Sequence, residues 1–224
     1  MHETIFFILK ILPYLAQGLT ITFYVSIVSF LIGLTIASAL TPLRVFLRPS
    51  LSLVIKSYIE VFRGTPLLVQ LFIIYFGLPS LGVKFDPLTA GIIALSLNSS
   101  AYQAEILRSS IKAIPESQYH SAEALGMSTV QVYRYVILPQ AIRAAIPALV
   151  NEVVTLVKES SLVSIIGVAE LTRRGEYIVA STFRALEAYI AVAVVYLVVC
   201  IAMSQVSKIL ERKFKIPGYE RGVV

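Results

Sequence analysis

The chain has 224 residues, 57% of them hydrophobic and only 14% charged, with a net charge of +6 and a mean hydropathy of +0.82. Soluble globular domains carry about 25% charged residues, so the composition excludes an ordinary soluble domain. The basic excess would suggest nucleic acid in a soluble protein, but the way it is distributed along this chain argues against that partner.

The first residues, MHETIFFILKILPYLAQG, lack a basic start, and the apolar run continues to residue 43, too long for a removable signal segment. A short amphipathic helix at the membrane surface is expected to end near Pro13 and lead into a first span. Residues 11–43 contain no Asp, Glu, Lys or Arg, and neither do 64–83, 87–104 or 188–207. Each run matches the roughly 20 residues that a transmembrane helix needs. A fifth zone, 136–169, is long enough but carries Arg143, Glu152, Lys158 and Glu159. The expected fold class is an all-α integral membrane domain of about five transmembrane helices. It is expected to occupy residues 1–224 as a single domain.

Ahead of the second run, Glu60 and Arg63 are spaced i, i+3 and are expected to pair on one helix face. Gly64, Thr65 and Pro66 follow, so a kink is expected there. These residues read as a structural or gate element on the cytoplasmic side. In the third run Asn98 and Tyr102 lie in a polar stretch, Ser96 to Gln103, that fits either bonds between helices or contact with a substrate.

Most of the 19 basic residues fall on one side of the expected spans. Arg44, Arg48, Lys56 and Arg63 follow the first, Arg108, Lys112, Arg134 and Arg143 flank the third and fourth, and Lys208, Arg212, Lys213, Lys215 and Arg221 follow the fifth. The positive-inside rule makes that side cytoplasmic, with the amino terminus outside and the carboxyl tail inside. Lys10, Lys84, Arg173, Arg174 and Arg184 fall outside, and Lys158 lies at membrane depth.

Residues 121–139, SAEALGMSTVQVYRYVILP, interrupt the apolar pattern on the cytoplasmic side. Pro115 suits the first turn of a helix and Glu116 complements its dipole. Gly126 fits a left-handed helix end. Ser128 and Gln131 form an S-x-x-Q capping box, flanked by Met127 and Val132 as a hydrophobic staple. The stretch reads as helix, glycine hinge, helix. Local chemistry leaves open an ordinary inter-span loop and a helix that docks in a partner's groove.

The spacing of Gly126, Val136 and Leu138-Pro139 resembles the EAA loop of permease subunits of bacterial ATP-binding-cassette importers. FRGTPLLVQL (62–71), LPQAIRAAIPALVNE (138–152), KESSLVSIIGVAEL (158–171) and ILERKF (209–214) resemble the polar amino acid branch of that family, the histidine, glutamine and arginine permeases. The resemblance covers nearly the whole chain. It implies a type I importer fold in the bacterial cytoplasmic (inner) membrane, and a coupling helix within about 115–136 that seats in a cleft of the ATPase. His120, Ser121, Ala122, Glu123, Leu125, Gly126 and Met127 are the implied coupling residues. The family usually has Glu-Ala-Ala where this chain has His120-Ser121-Ala122, so Glu123 is a candidate for the acidic group. The implied partners are two copies of the ATPase, a second permease that is a copy or a close paralogue, an extracytoplasmic substrate-binding protein and membrane lipid. ATP and Mg²⁺ belong to the ATPase, and no cofactor is expected on this chain.

An amino acid substrate needs acceptors for its ammonium and donors for its carboxylate. Glu152 suits the first role. Lys158, or backbone N–H groups near Ser160 where a broken fourth helix restarts, suit the second. Asn98, Tyr102 and Glu159 complete the expected site. Two acids and one lysine leave it net negative, which favours a basic amino acid. Loop 170–187, with Arg173, Arg174, Glu176 and Arg184, is expected to be an external mixed-charge surface. The chain has no G-x-x-x-x-G-K-[ST] run to cradle ATP phosphates, and no histidine–cysteine grouping for a metal or nucleophile. No catalytic residue is therefore expected, and no metal. The competing function is a self-contained ion-coupled secondary carrier. Such carriers often show internal repeats, which are not evident in this sequence.

Overall fold

The computed structural model describes residues 2–46 and 49–214, and every regular element among them is helical. Arg48, Lys215 and Arg221 lie outside the described residues.

Helix α1 (His2–Phe46) runs unbroken for 45 residues. At 1.5 Å per residue it is about 68 Å long, more than twice the ~30 Å hydrocarbon core of a bilayer. The separate surface helix expected to end at Pro13 does not exist: α1 passes straight through that residue. An interior proline costs a helix about 3 kcal/mol. Pro13 is exposed, but Ile11 and Leu15 beside it are buried against Leu171, Ile178, Ala188 and Val192. Burial contributes about 1.5–3 kcal/mol per large side chain, so the two together offset the proline.

The second apolar run is not one helix. Helix α2 (Pro49–Gly64) is followed by α3 (Leu67–Phe72), which continues through a π turn (Ile73–Gly77) and a 3-10 turn (Leu78–Leu81). Ser52–Gly64 and Leu67–Leu81 meet at 102°, so the expected kink is a full corner. Pro66 causes it: its missing N–H and its ring forbid continuation, and the preceding residue is pushed out of the helical region.

Helix α4 (Pro87–Lys112) starts at Asp86, whose carboxylate accepts the Thr89 N–H at 3.1 Å. It is the spine of the molecule. Helix α1 packs along it, α2 and α3 lie on another side, and α7 (Leu138–Glu159) on a third. Between α4 and α7 come α5 (Glu116–Ala124), α6 (Thr129–Gln131) and a π turn (Val132–Ile137) that runs directly into α7. Helix α7 stays intact through Pro147 and breaks only at Ser160, where a 3-10 segment (Ser160–Ile166) begins. The expected external loop is instead mostly α8 (Leu171–Thr182), and α9 (Ala185–Lys213) closes the bundle.

Among the described residues, Phe6–Arg44 and Ala185–Lys213 are each long and apolar enough to cross a membrane alone, with mean hydropathies of 2.1 and 2.4. The bent α2–α3 pair makes a third if it counts as one span. Helix α4 does not pass that test, because it carries buried Ser96, Asn98, Ser99, Ser100 and Gln103. Asn98, Ser99, Ser100 and Gln103 bond to neighbouring helices and keep α4 inside the bundle, while the Ser96 hydroxyl donates to the Ile92 carbonyl of α4 itself.

Close approach of α1 to α4 depends on Gly33. A Cβ there would lie 2.9 Å from Gln103 Nε2 and 3.2 Å from the backbone of both Ser96 and Ser100. Gly33→Leu is expected to destabilise the detergent-solubilised protein by about 1–3 kcal/mol. Gly64→Ala, whose added Cβ meets nothing within 4 Å, is the control. Thermal unfolding monitored by size-exclusion fluorescence reads both, and an unshifted midpoint in Gly33→Leu overturns the assignment.

Candidate functional site

Four places gather the polar side chains that the sequence singled out. The first is the α5–α6 loop. Gly126 has φ +80°, as its place after α5 requires, and the Met127 N–H closes back on the Ala122 carbonyl at 3.2 Å. The Ser128 N–H donates to Gln131 Oε1 at 2.8 Å, the reciprocal arm of the expected capping box. Met127 and Val132 pack in one cluster with Ile114, Ala122 and Ile137, as a staple should. Ala122 is therefore an internal packing residue, 4% exposed, rather than part of an outward docking face. The outward apolar groups are Leu125 and Val130, 84% and 76% exposed. His120 Nδ1 lies 3.7 Å from Glu123 Oε2, both exposed. Behind this loop a cleft of about 840 Å³ lies between it and the ends of α1 and α4, lined in part by Arg44, Arg108, Lys112 and His120.

The second place is the α2–α3 corner. Asn98 Nδ2 donates to the Phe62 carbonyl at 3.0 Å and to Gln70 Oε1 at 3.2 Å. Gln70 Nε2 lies within bonding distance of the Phe62 carbonyl (2.9 Å), the Thr65 carbonyl (3.1 Å) and Thr65 Oγ1 (2.8 Å). The Arg63 guanidinium sits over the Tyr102 ring, 5.2 Å from its centroid. The expected Glu60–Arg63 pair does not form, and Glu60 instead meets Lys56 at 3.5 Å. Arg63, Thr65 and Pro66 lie level with Asn98 and Tyr102 in the middle of α4. The break falls there because Pro66 sits seventeen residues past the start of α2 at Pro49, about 25 Å at the helical rise.

The third place is the next face of α4. Ser99 Oγ donates to Glu152 Oε1 at 2.7 Å. Gln103 Nε2 donates to Ser99 Oγ at 2.8 Å and to the Phe30 carbonyl at 3.2 Å. Glu152 is 8% exposed, Glu159 half-buried and Lys158 exposed. The Ser160 hydroxyl is turned onto the Val157 carbonyl at 2.8 Å. Asn98 and Tyr102 thus serve the corner, while Glu152 bonds to the neighbouring face of α4.

The fourth place was hidden. Glu170, expected on an external charged surface, is fully buried. Its carboxylate accepts from the N–H groups of Thr172 (2.9 Å) and Arg173 (2.8 Å), from Tyr196 Oη (2.8 Å) and from Thr22 Oγ1 (3.4 Å). It ties α8 to α1 and α9. Half-buried Arg174 lies against α1, its guanidinium 4.6 Å from the centroid of the Tyr14 ring and donating to Gln17 at 2.9 Å.

Residues 29–216 match the family described as binding-protein-dependent transport system inner membrane component. The chain belongs to that family. The arginine transport system permease protein ArtQ of Bacillus subtilis (strain 168) is 40% identical over 205 residues, covering 91% of this chain and 94% of that protein. The glutamine transport system permease protein GlnP of Escherichia coli (strain K12) is 41% identical over 207 residues, covering 92% and 94%. A chain in a crystal structure of an amino acid ABC transporter with histidines matches with a TM-score of 0.89 at 41% identity, covering 92% of this chain and 96% of that one. The fold is that of a type I importer permease, a transport component of the inner membrane rather than an enzyme. Family membership sets aside the self-contained secondary carrier.

In this permease the sequence missed Gln70, Thr22 and Tyr196, whereas Ser99 and Gln103 lie in the polar stretch it had marked. Gln70 had a readable signal, an amide inside an apolar run four residues after a proline. The others are ordinary small or aromatic residues whose partners lie on distant helices.

Past the charge-free run of α4, Glu105 joins α4 to α1. It accepts from Arg108 Nε at 3.0 Å and from Arg44 Nη1 at 2.7 Å. Glu105→Gln removes the charge from both contacts and is expected to lower the unfolding midpoint of the detergent-solubilised protein, and an unshifted midpoint overturns the assignment.

Proposed function

We propose that the chain is the permease of an ATP-driven importer that gives alternating access to a basic amino acid delivered by an extracytoplasmic binding protein. In this reading the single domain 1–224 crosses the membrane with five spans: α1, the bent α2–α3 pair, α4, α7 and α9. The amino terminus is outside and the carboxyl tail cytoplasmic. A second permease, identical or paralogous, and two ATPase copies complete it, with ATP and Mg²⁺ acting in the ATPase. Half-buried Arg173 of α8, paired with Glu176, belongs to the face that meets the binding protein.

The observation that carries the reading is the α5–α6 knob. Its interior is satisfied by its own cluster, yet it leaves Leu125 and Val130 in the open. A self-packed, capped knob with apolar side chains outward suits docking in a groove. Leu125→Glu is expected to lower substrate-stimulated ATP turnover of the reconstituted complex at least tenfold, about 1.4 kcal/mol of coupling. Gly126→Val should do the same, because a β-branched residue resists φ +80°. Both variants should still insert in the membrane, and wild-type stimulated turnover in them sinks the assignment.

The two named relatives are an arginine and a glutamine permease at nearly equal identity, so likeness does not choose a substrate. Charge supports a basic one. Glu152 lies buried beside Ser99, with Glu159 two turns on. Glu152→Gln keeps the shape and the bond from Ser99 while removing the charge. It is expected to slow arginine uptake into liposomes about tenfold more than glutamine uptake. Equal effects on both substrates overturn the preference for a basic amino acid.

A further inference from the structure

Arg63 is the one cation placed at the level of the middle of α4 by the α2–α3 corner, and it makes no ion pair among the described residues. Its neighbours Gly64, Thr65 and Pro66 are exposed, so the corner is open on that side. At this depth an arginine does not face lipid cheaply, and such residues line cavities or meet a partner charge. The cation–π contact with Tyr102 positions the guanidinium, and no hydrogen bond among the described residues occupies its N–H groups. The corner beneath it is rigid, because Gln70 and Asn98 take up the carbonyls of Phe62 and Thr65 that the bend released. A guanidinium fork so placed matches a carboxylate through two parallel hydrogen bonds. Lys158 shows no comparable setting: it is exposed on α7, with no bond that fixes it.

We infer that Arg63, braced by Tyr102 and by the Gln70–Asn98 clamp, receives the α-carboxylate of the transported amino acid at the α2–α3 corner. This rests on the importer reading above. It gives the site two ends of opposite charge, Arg63 at the corner and Glu152 on the next face of α4.

The test uses the detergent-solubilised permease–ATPase complex without its binding protein. L-arginine, L-histidine and L-glutamine, and the α-carboxamide of each, are titrated by equilibrium dialysis against the wild type, Arg63→Gln and Arg63→Lys. The wild type is expected to bind at least one acid tenfold or more tighter than its amide. Arg63→Gln should erase that ratio by weakening the acid alone, and Arg63→Lys should restore part of it. A wild type that binds acid and amide equally, or binds none, overturns the inference, as does a ratio preserved in Arg63→Gln. Loss of subunit association in Arg63→Gln, read as native mass, also overturns it and assigns the residue to a subunit contact. Failure of the complete transporter with its binding protein to import any of the three is a separate result and overturns the importer reading itself.

Discussion

Backbone groups inside a bilayer have no water to bond, and each one left open costs several kcal/mol. A 102° bend in the middle of an apolar run creates that problem at once. The chain solves it with two side chains: the Gln70 amide lies against the carbonyls of Phe62 and Thr65, and Asn98 reaches across from α4 to both Phe62 and Gln70. Much follows from this clamp. It fixes α3 on the half of α4 that holds Ala90, Ala94 and Leu95, and fixes α2 on the half that holds Ala101 and Ala104. The polar groups of α4 are therefore spent on bonds to its neighbours, which is why that helix is too polar to face lipid.

The other faces of α4 obey the same rule with different partners. Gln103 bonds to a carbonyl of α1, and through Ser99 the chain of bonds reaches Glu152 on α7. Helix α7 is in turn continuous, through the π turn, with α6 of the exposed knob. Force applied at Leu125 or Val130 thus has a covalent, helical route to the residues that line the interior. A glycine-ended, internally packed knob suits that role, because it moves as a body instead of bending.

Legibility divided by the range of the interactions. The Gly126 turn, the Ser128–Gln131 box and the Met127–Val132 staple are local, and their residues sit within a few positions of one another, so the sequence displayed them in full. The kink at Pro66 was visible for the same reason, though its size was not, since the angle depends on Gln70 and Asn98. Errors arose where tertiary packing overrode a local rule. Pro13 looked like a helix end and is carried through by Ile11 and Leu15. Glu60 and Arg63 had pairing geometry on one helix, yet Tyr102 on another helix claims the guanidinium. Glu170 and Ala122 read as surface residues because burial cannot be deduced from polarity or from small size alone.

Helix α1 is held at separated points along its length. Near its midpoint, Thr22 bonds both to the Glu170 carboxylate and to the Leu171 N–H, and Gly18 allows α8 to approach within van der Waals contact. Towards its far end, Arg44 holds Glu105 of α4. Between them the contact with α4 is made through Gly33 and small side chains such as Ala37 and Ala101, which interlock without long flexible groups. A helix pinned by polar bonds at separated points resists sliding, because any shift breaks several of them at once. Helix α7 meets α4 through one short polar bond between Ser99 and Glu152 and otherwise through apolar contact. The α1–α4 contact is therefore the one in which polar bonds recur along the helix, whereas α7, continuous with the knob, is held on α4 chiefly by apolar packing.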